Sequence, residues 1–206
     1  MKKDKINVLI CGVGGQGILL ASEILSEVFI KAGYDVKKSE IHGMSQRGGS
    51  VESHVRAGKK VHSPLIKKGE ADFILAFESM EGLRYLEYLS SEGKLIRNTQ
   101  KIIPLTVTIG NAEYPDNPEK IAKDNGIDTV SINAIKIAKD LGSDKVVNII
   151  LLGVLAQYLG DLSAPLRIDR KIWDDVIVDW MNVKKLSPKI MEINKKAFER
   201  GYNSTA

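Results

Sequence analysis

The sequence predicts an α/β fold: a single doubly wound, Rossmann-like domain with a mostly parallel sheet, helices on both faces and a helical C-terminal region. Three observations predict it. An apolar, β-branched run stops at a glycine loop, and that loop opens onto a segment with helical spacing. Strand-like and helix-like segments then alternate, and the last part of the chain is helical in period throughout. No repeat, low-complexity run or Pro/Gly/Ser linker divides residues 1–206, so one domain is expected.

Ile6 to Cys11 is the first strand, suited to burial on both faces of a parallel sheet. After the glycines, Ile18, Ala21, Leu25, Val28 and Ala32 recur at helical spacing, and Gly33 stands where a C-capping glycine belongs. Tyr34 to Glu40 reads as a second strand. Ser50 to Ala57 alternates Val51, Ser53, Val55 and Ala57 with Glu52, His54 and Arg56, the pattern of an exposed or edge strand. Ala71 to Phe77 is another buried strand, followed by a helix carrying Met80, Leu83, Leu86 and Leu89 and a strand near Lys94 to Asn98. A strand near Asp128 to Ile132 and helices near Ala134 to Leu141, Val147 to Leu159 and Lys171 to Met181 come next. The last helix enters through Ser187-Pro188 and is expected to end at Gly201.

Composition narrows the function classes. The 206 residues carry 30 Lys+Arg against 26 Asp+Glu, a net charge of +4, and 43% are hydrophobic, enough for a sizeable core and against disorder as the main state. The lysines fall mostly in pairs flanking apolar segments, as on solvated edges, so no nucleic-acid partner is expected. The uncharged stretch Val146 to Gly160 has 15 residues, short of the ~18 that a membrane span needs, and reads as a buried core helix. Met-Lys-Lys-Asp-Lys runs into a strand without a signal-peptide apolar region, which predicts a cytoplasmic protein. The single cysteine, Cys11, cannot build a disulfide, a tetrathiolate zinc site or a Cys-ligated iron–sulfur cluster within the chain.

Gly12, Gly14 and Gly17 form G-x-G-x-x-G directly after a predicted strand and before a predicted helix. Glycines there permit positive φ and a close ligand approach, while the free N–H groups of the helix start favour a phosphate or carboxylate. Glu40 stands 23 residues after Gly17, near the spacing at which a dinucleotide-binding fold takes ribose hydroxyls, so NAD binding stays open beside a plain crossover turn or a partner contact. The segment Glu40 to Ser50 gathers three glycines, His42 and Arg47 into 11 residues. Arg47 can fork onto a carboxylate or phosphate, Gly48 and Gly49 keep the backbone close, and His42 can donate a hydrogen bond or shuttle a proton. The bland reading pairs Arg47 with Glu40 and lets His42 cap a turn. In a doubly wound domain the first two strands would end side by side and bring the two loops face to face. His54 and His62 lack ligand spacing for a metal and read as surface or strand histidines. G-x-S-x-G is absent and no P-loop lysine follows the glycines, which removes serine nucleophiles and P-loop hydrolysis.

Together, Gly12-Val13-Gly14-Gly15-Gln16-Gly17-Ile18-Leu19 and His42-Gly43-Met44-Ser45-Gln46-Arg47-Gly48-Gly49-Ser50-Val51 resemble the small, gamma-type subunit of the 2-oxoacid:ferredoxin oxidoreductases. The likeness is greatest to the indolepyruvate:ferredoxin oxidoreductase beta subunit, with Ser45 where alanine is common. It continues through Ser53 to Arg56, Ser63 to Ile66, Gly69 to Asp72, Leu75 to Glu78, Leu83 to Tyr85 and Asn148 to Gly153, nearly the whole chain.

The resemblance implies a reaction in which an aryl pyruvate, CoA and oxidised ferredoxin give an aryl-acetyl-CoA, carbon dioxide and reduced ferredoxin. It implies no cofactor bound tightly by this chain: thiamine diphosphate and the iron–sulfur clusters would sit on a large alpha subunit of a hetero-oligomer, and ferredoxin would be reached through it. The sequence agrees, since no Gly-Asp-Gly thiamine-diphosphate motif occurs, the nearest being Gly160-Asp161-Leu162. His42 and Arg47 are then the candidate catalytic residues. Gly12, Gly14, Gly15, Gln16, Gly17, Gly48 and Gly49 are candidates to seat CoA phosphates, to hold the substrate carboxylate or to face the partner. A free-standing NAD(P)-binding domain and a purely structural partner are the competing readings.

Overall fold

The computed structural model describes residues 4–42, 49–103, 105–108, 110, 113–163 and 166–204. Its strands are β1 (Lys5–Val13), β2 (Asp35–His42), β3 (Ser50–Gly58), β4 (Ala71–Ala76), β5 (Leu89–Asn98) and β6 (Asp128–Ile132). Its helices are α1 (Ile18–Lys31), α2 (Ser79–Arg84), α3 (Leu105–Thr108), α4 (Pro118–Asp124), α5 (Ala134–Asp140), α6 (Val147–Gly160), α7 (Arg170–Val183) and α8 (Pro188–Tyr202). The described strands form one six-stranded sheet in the order β2-β3-β1-β4-β5-β6. β3 is antiparallel to both neighbours, while β1, β4, β5 and β6 pair in parallel, so the sheet is mixed but mostly parallel, as predicted.

β1 is buried on both faces because alternate side chains feed two cores. Ile6, Val8 and Ile10 join the large core with α1, α5, α6, α7 and α8, and Leu9 and Cys11 join a thinner one under α2 and α4. α1 ends in a Schellman motif: Gly33, at φ 88°, donates to Ile30 O at 2.9 Å and Tyr34 donates to Phe29 O at 3.1 Å. The Phe29 and Tyr34 rings meet edge-on at 6.2 Å between centroids, closing the motif with an apolar contact. α6 is buried along nearly its whole length, as its uncharged sequence predicts. No helix among the described residues is long and apolar enough to cross a membrane.

Three expectations are corrected. β3 is not an edge strand, because it returns from β2 between β2 and β1 and leaves β2 at the edge. Its polar side is covered by residues 59–70 and α2: Arg56 donates to Asn7 Oδ1 at 2.9 Å and to Leu65 O at 2.8 Å, and buried His54 accepts from Ile66 N–H at 3.1 Å. The helix after β4 is short, since Leu86–Tyr88 form a 3-10 turn and Leu89 already pairs with Ala71 as the start of β5. Gly201 does not end α8, which runs on to Tyr202. It lies where α8 crosses α6, and a Cβ there would stand 2.0 Å from Ile150 O.

Candidate functional site

The carboxyl end of β1 turns into α1 through Gly14 to Gly17. Gly15 (φ 101°) and Gly17 (φ 82°) hold left-handed torsions that other L-residues adopt at a cost of ~1–2 kcal/mol. Gly12 is needed for space: a Cβ there would lie 2.8 Å from Cβ of Phe77. The Gln16 amide braces the loop from inside, with Oε1 accepting from Val13 N–H at 2.8 Å and Nε2 donating to Phe77 O at 3.0 Å. Gly17, the residue preceding α1, offers no side-chain cap, so among the described residues no capping side chain takes up the first-turn N–H groups of α1, which are the groups that favour an anion.

The two loops meet, by a route the sequence did not suggest. The ends of β1 and β2 are not neighbours, because β3 lies between them. β3 runs back along β1 instead, pairing Ser50 with Val13, and Gly14 N–H donates to Gly49 O at 2.9 Å. Ser50 is anchored in turn: its hydroxyl donates to Glu81 Oε2 at 2.5 Å and lies 3.0 Å from the Tyr85 hydroxyl. Glu81 is buried and also accepts from Arg84 at 3.2 Å. Burial pushes the Tyr85 phenol well above its ordinary pKa, which keeps it neutral in this network. His42 ends β2 opposite Val51, whereas its side chain, Arg47 and Gly48 lie outside the described residues.

A cleft of about 450 Å³ opens beside the loop, lined by Gly15, Gln16, Gly17, Gln100, Lys145 and Asn148 among others. Asn148 is buried at the start of α6, and its Nδ2 would stand 2.9 Å from a Cβ on Gly17. Exposed Lys145 offers the cleft a cation, with the exposed carboxylate of Asp144 beside it in the lining. Sequence reasoning passed over both. Asn148 had a signal, as a polar residue at the start of an otherwise apolar stretch, whereas one exposed lysine among many carried none.

Cys11 is fully buried, and its thiol donates to Glu81 O at 3.6 Å. Burial, and then the nearby Glu81, Glu52 and Glu78, hold its pKa well above the ordinary thiol value, which excludes a nucleophile or accessible ligand there. Among the described residues no three His, Cys, Asp or Glu side chains are grouped to hold a metal ion. Glu40 pairs with Lys38 at 2.7 Å on the edge strand, two strand spacings (~10 Å) from β1, so it is not placed as a ribose ligand for the glycine loop.

A sequence profile of the family described as "Pyruvate ferredoxin/flavodoxin oxidoreductase" matches residues 7–204. The chain is 39% identical over 201 residues to "Indolepyruvate oxidoreductase subunit IorB" of Archaeoglobus fulgidus, covering 97% of this chain and 94% of that protein. It resembles in fold a Magnetococcus marinus 2-oxoglutarate:ferredoxin oxidoreductase solved with 2-oxoglutarate, coenzyme A and succinyl-CoA bound, at TM-score 0.72 and 19% identity over 97% of this chain and 31% of that one. It also resembles pyruvate oxidoreductase subunit PORC of Thermotoga maritima, at TM-score 0.69 and 22% identity over 97% and 96% of the two chains. The glycine loop, its β3 neighbour and the mixed sheet thus occur in a chain matched almost end to end. It belongs to the pyruvate ferredoxin/flavodoxin oxidoreductase family, among the subunits of 2-oxoacid:ferredoxin oxidoreductases.

Proposed function

We propose that this chain is the small subunit of an indolepyruvate-type oxidoreductase that converts aryl pyruvates and CoA to aryl-acetyl-CoA and carbon dioxide while reducing ferredoxin. The observation that carries the proposal is the joining of the two glycine-rich segments at one sheet edge, Gly14 N–H to Gly49 O at 2.9 Å, beside an open helix N-terminus. The names of the relatives at 35–39% identity supply the substrate class.

The donor set of this chain does not fit thiamine diphosphate or a cluster: its one thiol is sealed beneath the sheet and the thiamine-diphosphate motif is missing. In this reading both groups would sit on a large partner subunit, through which ferredoxin would be reached. CoA fits better. The first-turn N–H groups of α1 would bind a phosphate, Lys145 would add a positive charge, and Asn148 Nδ2 would donate a hydrogen bond. Arg47 would hold the substrate carboxylate or a CoA phosphate, with Gly48 and Gly49 letting the backbone approach and His42 donating or accepting a proton nearby. Closed against the partner, the two loops would also keep water from the reacting carbon.

Co-expression with a large thiamine diphosphate and iron–sulfur subunit, assayed anaerobically for CoA-dependent dye reduction by aryl pyruvates, is the test. Activity is expected only in the pair. No complex, no activity and NADH binding by this chain alone would replace the proposal with the dinucleotide-binding reading. Within the active pair, Arg47→Ala should lower kcat/KM about tenfold or more, the effect of losing a charge-assisted hydrogen bond, while assembly persists. Unchanged kcat and KM for both CoA and the oxo acid would remove Arg47 from the site.

A further inference from the structure

A groove of about 640 Å³ lies away from the glycine loops, on the outer surface between α1 and α7. Ile24 and Val176 form its buried floor, and Trp180 lines one wall. Two large apolar side chains stand open to solvent on its rim, Ile30 at 52% and Val183 at 78% exposure. Both flanking helices have 14 residues, a length of roughly 21 Å, so a helix laid along the groove could follow them for about four turns.

Its charges are unevenly distributed between the two helices. α7 pairs its exposed charges one turn apart, Arg170 with Asp174 at 3.3 Å and Lys171 with Asp175 at 2.9 Å. On α1, Glu23 and Glu27 also stand one turn apart, but both are acidic, exposed and without an ion-pair partner among the described residues. Lys31 is one turn beyond Glu27 and could have neutralised it. It reaches across to Asp179 at 2.9 Å instead, fastening α1 to α7 at the groove. The result is an apolar trough with an uncompensated negative rim on a protein whose net charge is +4.

We infer that the groove between α1 and α7 docks a helix of the large partner subunit, one that presents an apolar stripe flanked by Lys or Arg. The inference rests on the small-subunit reading above and adds to it the surface through which the subunits are held. An apolar stripe would cover Ile30, Trp180 and Val183, and the basic flank would relieve the repulsion between Glu23 and Glu27.

The test uses the co-expressed complex and two variants of this chain, the double Glu23→Lys/Glu27→Lys and the single Val183→Asp. All three positions are exposed, so the isolated variants should keep the wild-type helical circular dichroism and melting temperature. Association with the large subunit should weaken at least tenfold for each. For the double variant, the salt dependence should also reverse relative to the wild type, because added salt screens the new like-charge repulsion. Wild-type affinity in both variants overturns the inference and leaves the functional reading intact. Self-association of the isolated chain that the double variant abolishes, with binding to the large subunit unchanged, overturns it in favour of a second copy. A wild-type chain that forms no complex overturns the functional reading and this inference together.

Discussion

Glycine is used in two places in this fold for opposite reasons. In the loop from Gly14 to Gly17 the constraint is torsional: Gly15 and Gly17 have positive φ, and around Gly15 a Cβ would meet nothing within 4 Å. Where α6 crosses α8 it is steric. Gly153 and Gly201 sit within regular helices, yet a Cβ on Gly153 would lie 2.3 Å from Phe198 O and one on Gly201 would lie 2.0 Å from Ile150 O. Torsional glycines shape a backbone that stays open to a ligand, and steric glycines close a core. The two kinds look alike in a sequence.

Substitution by alanine should separate the two. Gly201→Ala should be the most damaging, because the obstructing atom is backbone rather than the end of a flexible side chain. Forcing a methyl into that crossing should cost about 3 kcal/mol and lower Tm by roughly 6–12 °C for a chain of this size. A melting curve within 2 °C of wild type, to use a rough margin on that scale, would mean that the helices separate easily and the steric reading is wrong.

Gly17→Ala comes next. The left-handed torsion should cost ~1–2 kcal/mol, and Asn148 Nδ2, 2.9 Å from the new methyl, must also move. Since that displacement occurs in the cleft, CoA-dependent activity of the assembled enzyme should fall by more than the stability loss explains. Equal losses of activity in Gly17→Ala and Gly201→Ala, matched to their stability losses, would erase the distinction between loop and core. Gly15→Ala should be mildest, about 1 kcal/mol in urea denaturation, because torsion alone opposes it and the methyl points into open space. A cost above that of Gly17→Ala would show that the loop is more tightly enclosed than its geometry indicates.

Much of this was legible in the sequence. Ile6 to Cys11, the glycine loop and the amphipathic stripe from Ile18 onward define a strand, turn and helix by local rules, and each formed within a residue or two of its expected place. The Schellman end of α1 at Gly33 and the entry of α8 after Ser187 were equally local, since capping depends on a few adjacent residues. β3 was misread because its alternation fits any strand with one apolar face. Nothing in Glu52, His54 and Arg56 reveals that residues 59–70 fold over them. Of the candidate site, the glycines were visible as a pattern, while Lys145 and Asn148 arrive from more than 120 residues away in the chain.

The sequence alone determined the α/β class, the glycine turn at the end of β1 and the buried character of α6, because torsional limits and hydrophobic period act between near neighbours. It also determined that this chain has too few thiols for a cluster of its own. Tertiary structure alone decided that β3 would lie between β2 and β1, and hence that Gly49 rather than the end of β2 would meet Gly14. It also decided which glycines face an open cleft and which lie under a crossing helix. Strand order and helix crossing depend on contacts between residues far apart in the chain, and the local pattern is the same for several ways of making them.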